Sequence, residues 1–354
     1  MKITRVTYER LDLKLRKPYV IAYETVSSAV NFILKLETDI GLVGYGCAAP
    51  DVPVTGETPE AVAAAITDVI EPYLLGKDPF GYAKIVEDLT VLSAGKSSAR
   101  AMVDLAIFDL VAKKADVPLY KFLGGYRHKI ATSITIGICD LAETLAEAEE
   151  FVAAGFGIIK IKGGLDLAAD IERMLKVKER FPDVILRFDG NQGYTAGQAI
   201  QFATATEKAD IQIFEQPMHI LKEENYQAVA EETLIPVMAD ESLKTLTDTF
   251  RLVRHEKVDM VNIKLQKVGG IQVGMHINSV AKAARKEVMI GCIDECALGI
   301  SAGIHFALSR LNIHFADLDG HLDFINDPFA GKLFTLQNGW LEPTDAPGLG
   351  FAEQ

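Results

Sequence analysis

From about residue 130 onward the chain repeats one pattern, and that pattern limits its possible folds more than any other feature. Short β-branched runs recur at 132–138, 157–161, 184–188, 211–214, 236–239, 260–264, 288–291 and 313–316, with a pitch near 25 residues. Helical stretches such as 141–154 and 274–285 fill the gaps. Strand–helix alternation at this pitch predicts a parallel sheet, and eight strands favour a closed β/α barrel over a doubly wound sheet. No Gly-x-Gly-x-x-Gly lies between the first run and the first helix, so a dinucleotide-binding fold lacks its signature.

The first 125 residues read differently. Stretches 3–15 and 29–38 are strand-like, and 45–58, rich in Gly, Pro and Asp, reads as a long surface loop. Thr58 before Pro59-Glu60 predicts a helix N-cap with Pro at the first helical position. Apolar residues at helical spacing continue over 98–115. The final segment, punctuated by Asn338-Gly339, Pro343 and Pro347-Gly348, is expected to pack back on the N-terminal zone. Three parts follow: an α+β part over 1–125, a barrel over 126–320 and a returning segment over 321–354.

Composition narrows the function. Of 354 residues 49% are hydrophobic and 24% charged, as in a well-packed globular protein, and the net charge of −13 argues against nucleic acid or an anionic membrane as a partner. No apolar run reaches the roughly 18 residues needed to span a bilayer. The start alternates polar and apolar residues without the apolar core of a signal peptide. Cys47, Cys139, Cys292 and Cys296 show neither zinc spacing nor a disulfide framework. A cytoplasmic enzyme is expected.

In a barrel, function collects at the C-terminal ends of the strands. Those ends read Lys160-Ile161-Lys162, Phe188-Asp189-Gly190-Asn191, Phe214-Glu215-Gln216-Pro217, Ala239-Asp240-Glu241-Ser242 and Asn262-Ile263-Lys264. Asp189, Glu215 and Asp240 end three consecutive strands, 26 and 25 residues apart. Three carboxylates that close repel unless a cation joins them, and oxygen-only ligands suit Mg²⁺, with Mn²⁺ a possible substitute. Lys160 and Lys162, two apart on a strand, leave it on the same face, and Lys264 ends a strand about half-way round the ring. A central cation with a lysine on each face of a substrate suits abstraction of a proton α to a carboxylate. Mg²⁺ and Lys160 would stabilise the enediolate, and a lysine base needs a depressed pKa. With Lys162 and Lys264 opposed, one removes the proton and the other returns it from the far side, inverting the stereocentre.

At these residues the chain resembles the enolase superfamily, in its muconate-lactonizing subgroup. The Lys-x-Lys of the second strand, the Asp/Glu/Asp series and the lysine of the sixth strand carry the resemblance, which spans the whole length. It implies an N-terminal α+β capping domain, completed by the C-terminal segment, over a (β/α)7β TIM-like barrel. The eighth strand ends Phe315-Ala316-Asp317-Leu318-Asp319-Gly320, and this Asp-x-Asp resembles the dipeptide epimerase signature that holds the α-ammonium of a dipeptide. The resemblance further implies that Thr135, Cys292, Ile293, Asp294 and the 317–319 segment contact substrate, that Asn191 and Glu241 orient the lysines and ligands, and that one Mg²⁺ binds per subunit of an even-numbered homo-oligomer. Acid-preferring members carry an Arg near the position of Glu24. Glu24, with Asp51 and Asp294, therefore points to hydrophobic or cationic dipeptides with acidic side chains excluded. An N-acylamino-acid racemase or o-succinylbenzoate synthase on the same scaffold is the alternative. A Schiff-base aldolase using Lys162 and a metal-binding barrel without activity stand further off.

Overall fold

A computed structural model describes residues 1–254 and 258–352. The N-terminal part is an antiparallel meander of β1 (Ile3–Ile21), β2 (Glu24–Thr38) and β3 (Val43–Ala48). The β1–β2 hairpin runs from Ile3 opposite Thr38 to Ile21 opposite Glu24, with a register shift between Lys14 and Tyr19. It reaches well past the strand-like stretches of the sequence. Its tip rests on the barrel, where Ile138 N–H donates to Val20 O at 2.8 Å.

Strand β3 corrects the reading of 45–58 as a loop from Tyr45 on. Gly44 and Gly46 are there for close approach and not for a turn. A Cβ on Gly46 would lie 1.9 Å from Met102 O, and one on Gly44 2.4 Å from Ala106 O. Only a glycine strand packs that near to helix Ser97–Lys114. Beyond β3, Asp51 caps the short helix Val52–Thr55 through Val54 N–H. Thr58 caps Pro59–Ala65 as expected, accepting from Ala61 N–H at 3.2 Å.

The barrel begins after β4 (Ile130–Ala131). Its strands are β5 (Ile134–Ile136), β6 (Ile158–Lys162), β7 (Ile185–Asp189), β8 (Ile211–Glu215), β9 (Val237–Ala239), β10 (Met260–Lys264), β11 (Glu287–Gly291) and β12 (Ile313–Asp317), parallel and neighbours in chain order. The ring is drawn together where Thr132 bridges Ala316 and Ser133 N–H donates to Ala316 O. Side-chain caps start the intervening helices: Asp140 at Leu141–Ala153, Asp166 at Leu167–Arg180, and a capping box of Thr195 and Gln198 at Ala196–Ala205. Alternation along the strands sorts the layers. Phe188 and Phe214 pack outward with Phe202, ring centroids 4.1 and 5.1 Å from it. Ile213, Met238, Met260 and Met289 fill the lumen with Phe315 against them.

The C-terminal hairpin, β13 (Phe334–Gln337) and β14 (Trp340–Pro343), pairs with β4. The segment also returns to the N-terminal zone: Arg16 N–H donates to Asp323 O, and the rings of Phe351 and Tyr45 meet edge to face at 4.8 Å. Helix Ser97–Lys114 joins these parts. Its Asp104 accepts from Ile271 N–H (2.5 Å) at the start of Ile271–Ala283, and its Asp109 from Tyr45 N–H (2.9 Å) and Leu349 N–H (2.7 Å). Among the described residues no helix is long and apolar enough to cross a membrane.

The glycine contact is testable. Gly46→Ala forces β3 off helix Ser97–Lys114 and should cost about 3 kcal/mol. Urea unfolding reads this, and a loss below about 0.5 kcal/mol would show that the contact yields without strain.

Candidate active site

The parallel register sets charged residues side by side at the mouth. Lys162 is paired with Asp189 and Asp189 with Glu215. Lys264 is paired with Gly291 and Gly291 with Asp317. Strands β6 and β10 stand four places apart in a ring of eight, so Lys162 and Lys264 enter from opposite sides. Gly291 keeps its place in the row open, since a Cβ there would lie 2.7 Å from the Asn262 amide.

Lys160 is 2% exposed. Its Nζ lies 3.0 Å from Asp189 Oδ2, 2.7 Å from Glu215 Oε2 and 2.8 Å from Asp317 Oδ2. Burial alone would lower its pKa, but Asp189, Asp317 and Glu215 together hold it well above the usual lysine value. Across the ring, Lys264 Nζ lies 2.8 Å from Asp240 Oδ2, and the fully buried Lys267 pairs with Asp240 Oδ1. Burial opposes the charge on Asp240, yet Lys264 and Lys267 hold its carboxyl well below the usual range. Lys264 itself is pushed up, by Asp240 first, against the cost of burial. That differs from the depressed pKa expected of a lysine base: here Asp240 and Glu215 outweigh the opposing ammonium of Lys160. Lys162 is less enclosed, with Asn191 Oδ1 at 3.4 Å and Asp189 Oδ2 at 3.7 Å. Asn191 also donates to Glu241 Oε1 at 3.4 Å.

Asp189, Glu215 and Asp240 end adjacent strands, but their oxygens face the lysines. Among the described residues no three Asp, Glu, His or Cys side chains already form a cage. The donor chemistry nevertheless fits a hard divalent cation. Asp189 Oδ2 and Glu241 Oε2 are buried without an aligned hydrogen bond. Burial pushes Glu215 up to about 7, offset by Lys160 and reinforced by Asp189 and Asp240.

These groups open into a cavity of about 370 Å³, within the range of small-molecule sites. Lys160, Lys162, Lys264, Thr135, Asn191, Asp317 and Asp319 line it, as do Cys292, Ile293, Asp294, Glu24 and Asp51. Asp317 is engaged by Lys160 and by Ser133 Oγ (2.6 Å), whereas Asp319, beside Thr135, is pushed up to about 7 by burial and by Asp317. Both Asp294 oxygens accept from Tyr19 Oη at 3.0 Å. Leu318 departs from the expectation of substrate contact: its side chain is 1% exposed and packs in the core towards Gly303. Along the strand its neighbours face the lumen, so it faces the helices. From the capping part come Tyr19, Ile21, Tyr23 and Val54, and with them the acids Glu24 and Asp51, both raised by burial.

Sequence reasoning missed Lys267, Asn262 and Arg187. Asn262 donates to Glu215 Oε1 at 2.7 Å, and Arg187 spans the lumen to Ala316 O at 2.8 Å. The available signal was period two: Asn262 and Arg187 each lie two residues before a site residue already chosen on their strand. Lys267 lies one helical turn past Lys264, beyond the strand end, where strand alternation carries no signal.

Residues 3–124 match the mandelate racemase / muconate lactonizing enzyme N-terminal domain, and 143–352 the enolase C-terminal domain-like family. The chain belongs to the enolase superfamily, in the mandelate racemase and muconate lactonizing enzyme family. It is 39% identical to the L-Lys-D/L-Arg epimerase of Desulforapulum autotrophicum, over 99% of each chain. The substrate-liganded L-Ala-D/L-Glu epimerase of Bacillus subtilis superposes with a TM-score of 0.96 at 37% identity, covering 99% of this chain and 98% of that one. The dipeptide epimerase of Enterococcus faecalis, complexed with Mg and L-Leu-L-Tyr, does so at 0.94 and 36%, over 99% of both. Relatives of this kind make the chain an isomerase that acts on amino-acid derivatives.

The Lys267–Asp240 pair predicts a stability effect. Lys267→Met leaves half of a buried carboxylate uncompensated and should cost about 3–5 kcal/mol in urea unfolding. A loss under about 1 kcal/mol would mean that Lys264 alone neutralises Asp240.

Proposed function

We propose that the chain is a Mg²⁺-dependent dipeptide epimerase that inverts the α-carbon of the C-terminal residue of an L,L-dipeptide. The observation that supports this most is the pair of lysines entering one cavity from opposite sides of the ring, with Asp317 and Asp319 at a third edge. Lys162 takes the α-proton from one face and Lys264, an ammonium beside Asp240, delivers one to the other; for the opposite isomer the roles exchange. Lys160 holds positive charge next to the substrate carboxylate as it gains electron density. Asp319, with Asp317 behind it and Thr135 beside it, receives the dipeptide's α-ammonium.

Asp189, Glu215 and Asp240 would hold one Mg²⁺ per subunit, with Mn²⁺ able to replace it. When bound, the ion supplies positive charge at the substrate carboxylate and offsets the excess of acids around Glu215. Cys292, Ile293 and Asp294 contact the substrate from the end of β11.

Side-chain preference follows from the cavity wall. Glu24, Asp51 and Asp294 face the cavity together with Tyr19, Ile21, Tyr23 and Val54. Hydrophobic or cationic dipeptides are favoured and a carboxylate side chain is repelled. Asp317 and Asp319 oppose an N-succinyl substrate, which brings a carboxylate where the dipeptide brings an ammonium.

The test is ¹H NMR in D₂O with a panel of L,L-dipeptides. Loss of the C-terminal residue's α-proton signal with appearance of the epimer is expected in the presence of Mg²⁺, and EDTA should abolish it. Lys162→Ala and Lys264→Ala should each reduce epimerisation by about 10³-fold or more, while exchange from one enantiomer survives. L-Ala-L-Glu should turn over more slowly than L-Lys- or L-Leu-containing dipeptides. Faster turnover of L-Ala-L-Glu sinks the preference, and turnover of N-succinyl amino acids in place of dipeptides sinks the substrate class.

A further inference from the structure

Behind the cavity wall two buried amides join the capping part to the barrel. Gln266, two residues past Lys264, is fully buried. Its Nε2 donates to Cys47 O at 3.1 Å and to Glu295 Oε2 at 2.9 Å, and its Oε1 accepts from Ala49 N–H at 3.2 Å. Asn31 of β2 makes a parallel link: its Nδ2 donates to Asp294 O at 3.0 Å and its Oδ1 accepts from Cys296 N–H at 2.7 Å. Glu295 closes the circuit by accepting from Ile293 N–H at 3.3 Å.

Neither amide lines the cavity, but each grips backbone that leads into it. Ala49 lies two residues before Asp51, which lines the cavity with Ile293 and Asp294. Gln266 therefore ties three things together: the strand end that carries Lys264, the loop that carries Asp51, and, through Glu295, the segment that carries Ile293. An amide is needed because each side chain must donate and accept at once in a buried place. A carboxylate cannot donate, and an apolar side chain would strand several backbone groups.

We propose that Gln266 and Asn31 are positioning residues that fix the side-chain pocket, formed by Asp51, Ile293 and Asp294, relative to Lys264, and so set which dipeptides bind. The inference rests on the epimerase reading of the cavity. A merely structural clasp would hold the fold together without favouring one substrate step. A positioning clasp acts on substrate binding and leaves proton transfer between the lysines near its normal rate.

The two roles separate in a charge-neutral swap. Gln266→Glu sets one carboxylate against another across the 2.9 Å link, and adding Glu295→Gln restores an amide–carboxylate bond in the opposite sense. On the dipeptide that the wild type turns over best, Gln266→Glu should raise KM at least about tenfold with kcat within about threefold, and the double variant, in which Cys47 O still lacks its donor, should recover at least about threefold of that rise. An unmoved KM, a kcat that falls in step with KM, or no recovery in a folded double variant overturns the proposal. Should Gln266→Glu fail to fold, Asn31→Asp, which removes only the donation to Asp294 O, carries the same expectation and the same refutation. A wild type that turned over no dipeptide would overturn the epimerase reading and this inference with it. A working wild type with an unmoved Gln266→Glu overturns the inference alone.

Discussion

The ammonium of Lys160, fixed among Asp189, Glu215 and Asp317, is the interaction around which the barrel is arranged. Each of these charges, buried alone, would cost several kcal/mol. They are tolerable only because parallel register sets Asp189 and Glu215 on adjoining strands at one height and brings Asp317 round at the closing edge. Below them the lumen is closed by Ile213, Met238, Met260 and Met289, with Arg187 as a cation on that side, facing Asp317 and Glu215. Above them it is open. Charge is therefore met from the side, by Arg187 from beneath, or by what enters from the mouth, and this gives the cavity both its electrostatics and its direction.

A barrel mouth by itself is a shallow dish. The depth here comes from the β1–β2 hairpin and the loop after β3, and both must be held to the barrel by something stiffer than loop packing. Helix Ser97–Lys114 does this. Its glycine-facing side lets β3 approach to backbone contact, and Asp104 and Asp109 satisfy N–H groups of a barrel helix, of β3 and of the C-terminal segment. Buried carboxylates bound by several N–H donors are costly to displace, so the capping part is locked in position by side-chain hydrogen bonds and packing. The selectivity of the cavity wall inherits that rigidity.

Most of the barrel was legible because the strands are compact β-branched runs, and six of them, β6 to β10 and β12, end in or run directly into a charged residue. The run 260–264 coincides with β10, and the others differ from the observed strands by a few residues at their ends. The glycines of 43–48 misled, because in sequence a glycine that permits close approach looks the same as one that permits a turn. The charged strand ends named most of the site for the same reason that the strands were legible. Asn262 and Arg187 were hidden inside strands, where a polar residue reads as a weak strand and not as a lumen group. Leu318 was included by contiguity, although alternation alone places it on the other face from Asp317 and Asp319. The amide clasp of Asn31 and Gln266 had no signal at all, since it joins β2 to the segment after β11, and the end of β3 to the segment after β10, each across more than half of the chain.

The lysines are paired on both sides of the ring, an enclosed one beside one that faces the cavity. On β6 the inner Lys160 is almost completely enclosed by acids, and the outer Lys162, whose side chain is 15% exposed, meets its nearest acid only at 3.7 Å. Opposite, Lys267 is fully enclosed against one oxygen of Asp240 while Lys264, 10% exposed, faces the cavity beside the other. On β6 the enclosed lysine neutralises the acids, which leaves Lys162 less tightly committed and able to meet a substrate. On the other side the order is reversed: burial lowers the enclosed Lys267, whereas Asp240 holds the cavity-facing Lys264 up against the cost of burial. The two sides of the cavity therefore differ, a firmly held ammonium facing an amine whose nearest acid stands further off, because the ion pair that makes burial tolerable also holds the proton in place.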